Sequence, residues 1–110
     1  MDDPLQELAI GLRRFARERN WDRFHTPQNL AALVASEAGE LLALFRWGQD
    51  AMNDQPEAVR HELADVFLGL VRLADVLGVD LWSAAEEKLQ VNALRYPPGP
   101  SGPDRPAGST

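Results

Sequence analysis

Apolar side chains recur at helical spacing along most of the chain, and no stretch alternates with the period of a strand. Leu5, Leu8, Leu12 and Phe15 form one stripe of a helix predicted from about Pro4 to about Asn20. Asp3 can cap it, proline suits its first position, and Gln6 stands at capping-box distance. Residues 20–25 break the pattern and read as a loop. A second helix is predicted from the Thr26-Pro27 cap to about Trp47, with Gly48 as its stop. A third begins near Asp54, spaced for a capping box with Glu57, and ends at Gly78. A fourth opens at Asp80 and reaches about Tyr96, where Pro97-Pro98 cannot continue it.

Four helices with short connections and no repeat predict an all-α fold, a four-helix antiparallel bundle over residues 1–96. Residues 97–110 are rich in proline and glycine and have little to bury, so a flexible tail is expected there. The third helix is apolar around well over half its circumference, from Val59 through Phe67 to Leu77. A helix of that kind is buried on more than one side, which predicts a second subunit against it.

Composition narrows the function. The 110 residues suffice for one domain. The net charge is −6 and basic residues are scattered among acids, so a polynucleotide backbone is not an expected partner. Handling phosphate would require a bridging cation. Cysteine is absent, which removes disulfides and thiolate zinc sites. No apolar run approaches 20 residues, so no membrane span is expected. The opening Met-Asp-Asp-Pro lacks the pattern of a secretion signal, and a cytoplasmic location fits.

The chemistry is concentrated in acids that interrupt apolar stripes. On the second helix, Leu30, Leu33, Glu37, Glu40, Leu44 and Trp47 trace one seam, with two carboxylates where a bundle core favours leucine. Glu62 and Asp65 repeat the three-residue step on the third helix, beside Val59, Leu63 and Val66. Four carboxylates gathered in a half-buried seam repel one another and are costly to desolvate. They either take up protons or bind a divalent cation. Oxygen-only ligands select Mg²⁺, with Mn²⁺ or Ca²⁺ as alternatives, over zinc. A di-iron bundle needs Glu-x-x-His on two helices, and neither His25 nor His61 completes that motif. His61 is read as a surface residue.

Lys88, Asn92 and Arg95 share a face of the fourth helix. That stripe suits triphosphate oxygens and a sugar, and it equally suits a solvated helix C-terminus. Trp21, His25 and Trp47 can stack on a base or pack as core. Trp82 is read as structural.

Taken together, Glu37-Ala-Gly-Glu40, Glu62-Leu-Ala-Asp65 and Lys88 through Asn92 to Arg95-Tyr96-Pro97 resemble the all-α nucleotide pyrophosphohydrolase superfamily, the MazG-like group. Within it the chain is most similar to the dCTP pyrophosphatase branch, through Glu18 to Leu30, Phe45-Arg46-Trp47 and the Arg95-Tyr96-Pro97 ending. The resemblance spans about residues 5 to 97. It implies a Mg²⁺-dependent enzyme cutting a (d)NTP, dCTP-like or modified, into monophosphate and pyrophosphate, a housecleaning role for the nucleotide pool.

By the same resemblance, Glu37, Glu40, Glu62 and Asp65 hold Mg²⁺ and carry the catalysis. Lys88, Asn92, Arg95 and Tyr96 contact phosphates and sugar. Trp21, His25 and Trp47 form the base pocket, and Asn29 in the adjoining motif joins the substrate-binding set. A dimer or tetramer is implied as well. Two positions depart from the branch: Leu12 stands where it usually has a histidine facing the base, and Gly69 where it tends to have a tyrosine. Both departures touch the pocket and leave the acids intact.

Two other readings compete. The chain could be a helical dimerisation module that binds nucleotide or metal without turnover, or a purely structural bundle with protonated seam acids. Only the enzyme requires the acids to converge on a cation.

Overall fold

The computed structural model describes residues 3–99. Its helices are α1 (Pro4–Glu18), α2 (Pro27–Leu44), the one-turn α3 (Ala51–Asp54), α4 (Pro56–Leu77) and α5 (Leu81–Arg95), with a 3₁₀ turn at Asp22–Phe24. The fold is all-α, as the spacing predicts, and no strand occurs among the described residues. The chain divides into two compact units, Met1–Val79 and Asp80–Thr110.

In the first unit the principal pairing is α2 with α4, and α1 also packs on α4. Small residues permit it. Leu30 is 1 % exposed and is the largest fully buried side chain among the described residues. Around the unit, Ala9, Ala16, Val59, Val71 and Ala74 are buried as well. At Gly69 a Cβ would stand 3.1 Å from Val34 Cγ2, so a missing methyl sets how closely α4 approaches α2.

The caps follow the sequence. Asp3 Oδ1 accepts from the amides of Leu5 and Gln6, and Thr26 Oγ1 accepts from Asn29 N. Gly78 adopts φ 69° at the end of α4, with Gly78 N donating to Asp75 O at 3.2 Å and Val79 N to Ala74 O at 2.9 Å. The end of α1 uses the same Schellman pattern with Asn20 at φ 58° in the left-handed position. Asn20 N donates to Arg17 O and Trp21 N to Ala16 O. Asparagine tolerates that conformation better than most residues. The motif carries the chain straight into Trp21, whose ring meets Phe15 edge-on at 5.6 Å.

Two boundaries differ from expectation. The second helix stops at Leu44, not at Trp47, because residues 45–48 tighten into three-residue turns and Arg46 Nε donates to the Ala43 carbonyl. The third does not begin at Asp54. Ala51 is buried and anchors a separate turn, Gln55 leaves the helical region at φ −140° and ψ 57° before Pro56, and no Asp54–Glu57 capping box forms.

The second unit contains α5, whose N-cap Asp80 accepts from Ser83 N. Arg95 lies over the Tyr96 ring at 5.4 Å. Of the expected tail, residues 97–99 carry no regular structure, and residues 100–110 lie outside the described residues. No described helix is long and apolar enough to cross a membrane.

Candidate active site

Glu37 on α2 and Glu62 and Asp65 on α4 each bring a carboxylate oxygen within 4.8 Å of the other two. Glu37 and Glu62 are half-buried and Asp65 is exposed. Glu40, one turn along α2, is exposed and does not join this set. Its charge still acts on Glu37.

At such separations each ionised pair costs roughly 1 to 4 kcal/mol, between the limits of bulk water and a protein surface. The Glu37 carboxyl is accordingly held above the usual glutamate range. A hydrogen bond with Glu62 is the foremost cause, followed by partial burial and the charges of Asp65, Glu62 and Glu40. Glu62 Oε2 is buried with no hydrogen-bond partner. When ionised, its acidic neighbours can only accept. Three carboxylates close together, one of them with an orphaned buried oxygen, fit a divalent cation of the Mg²⁺ class.

Alongside lies a cavity of about 270 Å³, near the lower end of ordinary small-molecule sites. Its wall includes Glu37 and Asp65, and also Trp21, His25, Leu12 and Gly69. Trp21 and His25 come from the loop after α1, their rings 6.1 Å apart. Asn29 secures that loop, its Nδ2 donating to the Phe24 carbonyl at 2.9 Å. The two positions that depart from the branch's pattern, Leu12 and Gly69, both face this cavity.

The other expected residues are placed differently. Trp47 lies beyond the end of α2, is 92 % exposed and does not line the cavity. Lys88, Asn92 and Arg95 lie on α5, and Tyr96 is its C-cap residue. His61 is exposed, 3.9 Å from Glu57, as a surface residue should be.

The sequence reading missed Arg72. It lines the same cavity and is 8 % exposed. Its Nε donates to His25 Nδ1 at 3.0 Å, Nη1 to Asp75 Oδ2 at 3.3 Å and Nη2 to Asp22 Oδ1 at 3.2 Å. Arg13 completes the network with two bonds to Asp75, at 2.6 and 3.1 Å. These guanidiniums, Arg13 first, hold the Asp75 carboxyl below its usual range. Burial, then the Arg72 charge, lower the pKa of His25. The available signal was an arginine set among Val71, Leu73 and Ala74, with an acid three residues on.

No family model matches the chain. A pyrophosphatase from Archaeoglobus fulgidus has the same fold, with a TM-score of 0.84 and 32% sequence identity, covering 89% of this chain and 96% of that one. The chain belongs to the all-α nucleotide pyrophosphohydrolase superfamily. Its likeness to the dCTP pyrophosphatase branch appears in curated relatives of that superfamily. The dCTP pyrophosphatase 1 of Rattus norvegicus is 43% identical over 90 residues, and that of Homo sapiens 40% identical over 90. Each alignment covers 76% of this chain and 53% of the relative, so the chain spans about half the length of the curated relatives it matches.

Proposed function

We propose that this chain is a Mg²⁺-dependent nucleotide pyrophosphohydrolase that cuts a (deoxy)nucleoside triphosphate between the α- and β-phosphates. The observation that carries the reading is one cavity lined by Glu37 and Asp65 of the acidic trio and by the rings of Trp21 and His25. A nucleotide has the same two ends, one anionic and one flat. The names of the curated relatives support the 2′-deoxy form and a dCTP-like base, and a modified base belongs to the same proposal.

Glu37, Glu62 and Asp65 would hold the cation, with Glu40 beside them adding negative charge. Mg²⁺, or Mn²⁺ with the same oxygen preference, supplies charge neutralisation and polarisation of the reacting phosphorus when bound. Glu37 orients the attacking water, since its carboxyl faces both the trio and the cavity. Trp21 stacks on the base, and the hydrogen-bonded turn held by Asn29 keeps that ring in place. Lys88, Asn92, Arg95 and Tyr96 are assigned to phosphates and sugar. Their support is the common face of the first three on α5 and the place of Tyr96 at its end.

A homodimer or homotetramer is part of the proposal. It is supported by Leu63, Phe67 and Leu77 of α4, which stay about half exposed in the single chain. The acidic balance and the scattering of basic residues among acids support a free nucleotide as partner over a polymer. A cytoplasmic location accords with such a substrate.

The test is incubation with a panel of dNTPs and NTPs in Mg²⁺ or EDTA, with separation of the products. Monophosphate and pyrophosphate, formed only with metal, are expected. Orthophosphate as the first product would rule out α–β cleavage. Nucleotide binding without turnover would leave the non-catalytic module.

A further inference from the structure

Within the proposed nucleotide site, the polar groups in the cavity wall apart from the carboxylates share one property. Trp21 offers an indole N–H, which can only donate. His25 Nδ1 accepts from Arg72, so the neutral ring carries its proton on Nε2 and that nitrogen donates. Arg72 has five N–H hydrogens in one rigid plane, and its three bonds leave one each on Nη1 and Nη2. Asp22 and Asp75 balance the charges of Arg72 and Arg13, so the buried guanidinium is held in place without the ligand. The wall therefore carries donors at Trp21, His25 and Arg72, and Arg72 keeps two N–H hydrogens outside its three bonds.

We propose that Arg72 is a specificity-determining residue that reads two adjacent acceptors on the edge of the base. Cytosine presents such a pair at O2 and N3, and guanine at O6 and N7, the pair that arginine forks grip elsewhere. Uracil and thymine carry a hydrogen on N3, which would face a donor. Adenine sets its 6-amine beside N1 and N7, and its N3 is an acceptor without a second one next to it. The inference rests on the nucleotide reading of the cavity, and it accounts for base selection in a pocket where positions 12 and 69 supply no polar group.

Two comparisons test it: kcat/KM for dCTP against dUTP, and for dGTP against dATP, in Mg²⁺. The wild type is expected to favour the acceptor-pair member by roughly 10-fold or more in at least one comparison. Which comparison shows it identifies the base. Arg72→Met and Arg72→Lys should each bring that ratio to within about 3-fold, the lysine variant because it keeps the charge between the two aspartates and loses the fork. Thermal melts confirm that both variants fold.

Equal rates within both pairs in the wild type would overturn the proposal. So would variants that slow all four substrates alike and keep the ratio, since that is the signature of a merely structural arginine. Calorimetric titration with dCMP, dUMP, dGMP and dAMP separates the two claims. A base preference in binding with no triphosphate cleaved would sink the hydrolase reading and leave this one standing. Cleavage without base preference would do the reverse.

Discussion

Two charged clusters sit on the first unit, and they are built on opposite principles. Glu37, Glu62 and Asp65 are all of one sign, crowd within 4.8 Å and leave a buried oxygen without a partner. Arg72, Arg13, Asp75 and Asp22 alternate in sign and answer one another with bonds of 2.6 to 3.3 Å. The first is strained until something positive arrives. The second is complete as it stands and gains nothing from a cation. Removing a charge should therefore act in opposite ways on the two clusters, with activity governed by the first and stability by the second.

The largest expected effect is on turnover. Glu62→Gln should lower kcat/KM on the order of 100-fold or more, while the melting temperature without metal stays level or rises, because a repulsion has been removed. Full activity in this variant would take Glu62 out of the mechanism. The converse substitution is Asp75→Asn, which strips the mostly buried Arg72 of a counter-charge and loosens Arg13. Urea unfolding should show a loss of about 3 kcal/mol, with the response to metal preserved. An unchanged midpoint would mean the alternating network contributes little.

Mg²⁺ should raise the stability of the wild type by about 2.7 kcal/mol at a hundred times its dissociation constant, and Asp65→Asn should abolish most of that gain. A wild-type melting temperature indifferent to Mg²⁺ would favour the purely structural bundle. The smallest effect is in pH. Because the folded state raises the Glu37 pKa, its ionised form opposes folding above that pKa, and the penalty fades as the proton is taken up. Metal-free Glu37→Gln should therefore be more stable than the wild type at pH 8. That advantage should shrink toward zero as pH falls through the raised pKa into the ordinary glutamate range. The comparison is made between the two proteins because His25 and Asp75, both lowered, lose stability on acidification in each.

The sequence made the unbalanced cluster visible and hid the balanced one. Carboxylates at apolar seam positions, at a three-residue step on two helices, announce themselves through periodicity, and three of the four expected acids converge in space. Helix caps were equally legible at Asp3, Thr26 and Asp80, where a short side chain reaches the backbone beside it. Arg72 was not, because its partners lie 47 and 50 residues away as well as on its own helix. The assumed reach of α2 to Trp47 failed for a related reason. The helical period continues through Phe45 and Trp47, but Trp47 stays 92 % exposed, and Arg46 Nε bonds back to the Ala43 carbonyl where the helix gives way to tighter turns.

Gly69 has a consequence for how this site can change. Val34, which meets the glycine, stands one turn from Glu37, and Gly69 itself stands one turn from Asp65. The absent side chain therefore acts as a spacer of zero thickness between the two rods that carry the carboxylates. Any residue that wedged them apart would widen the chamber and stretch the anionic trio in the same movement, so the breadth of the ligand and the grip on the ion cannot be adjusted separately at this position.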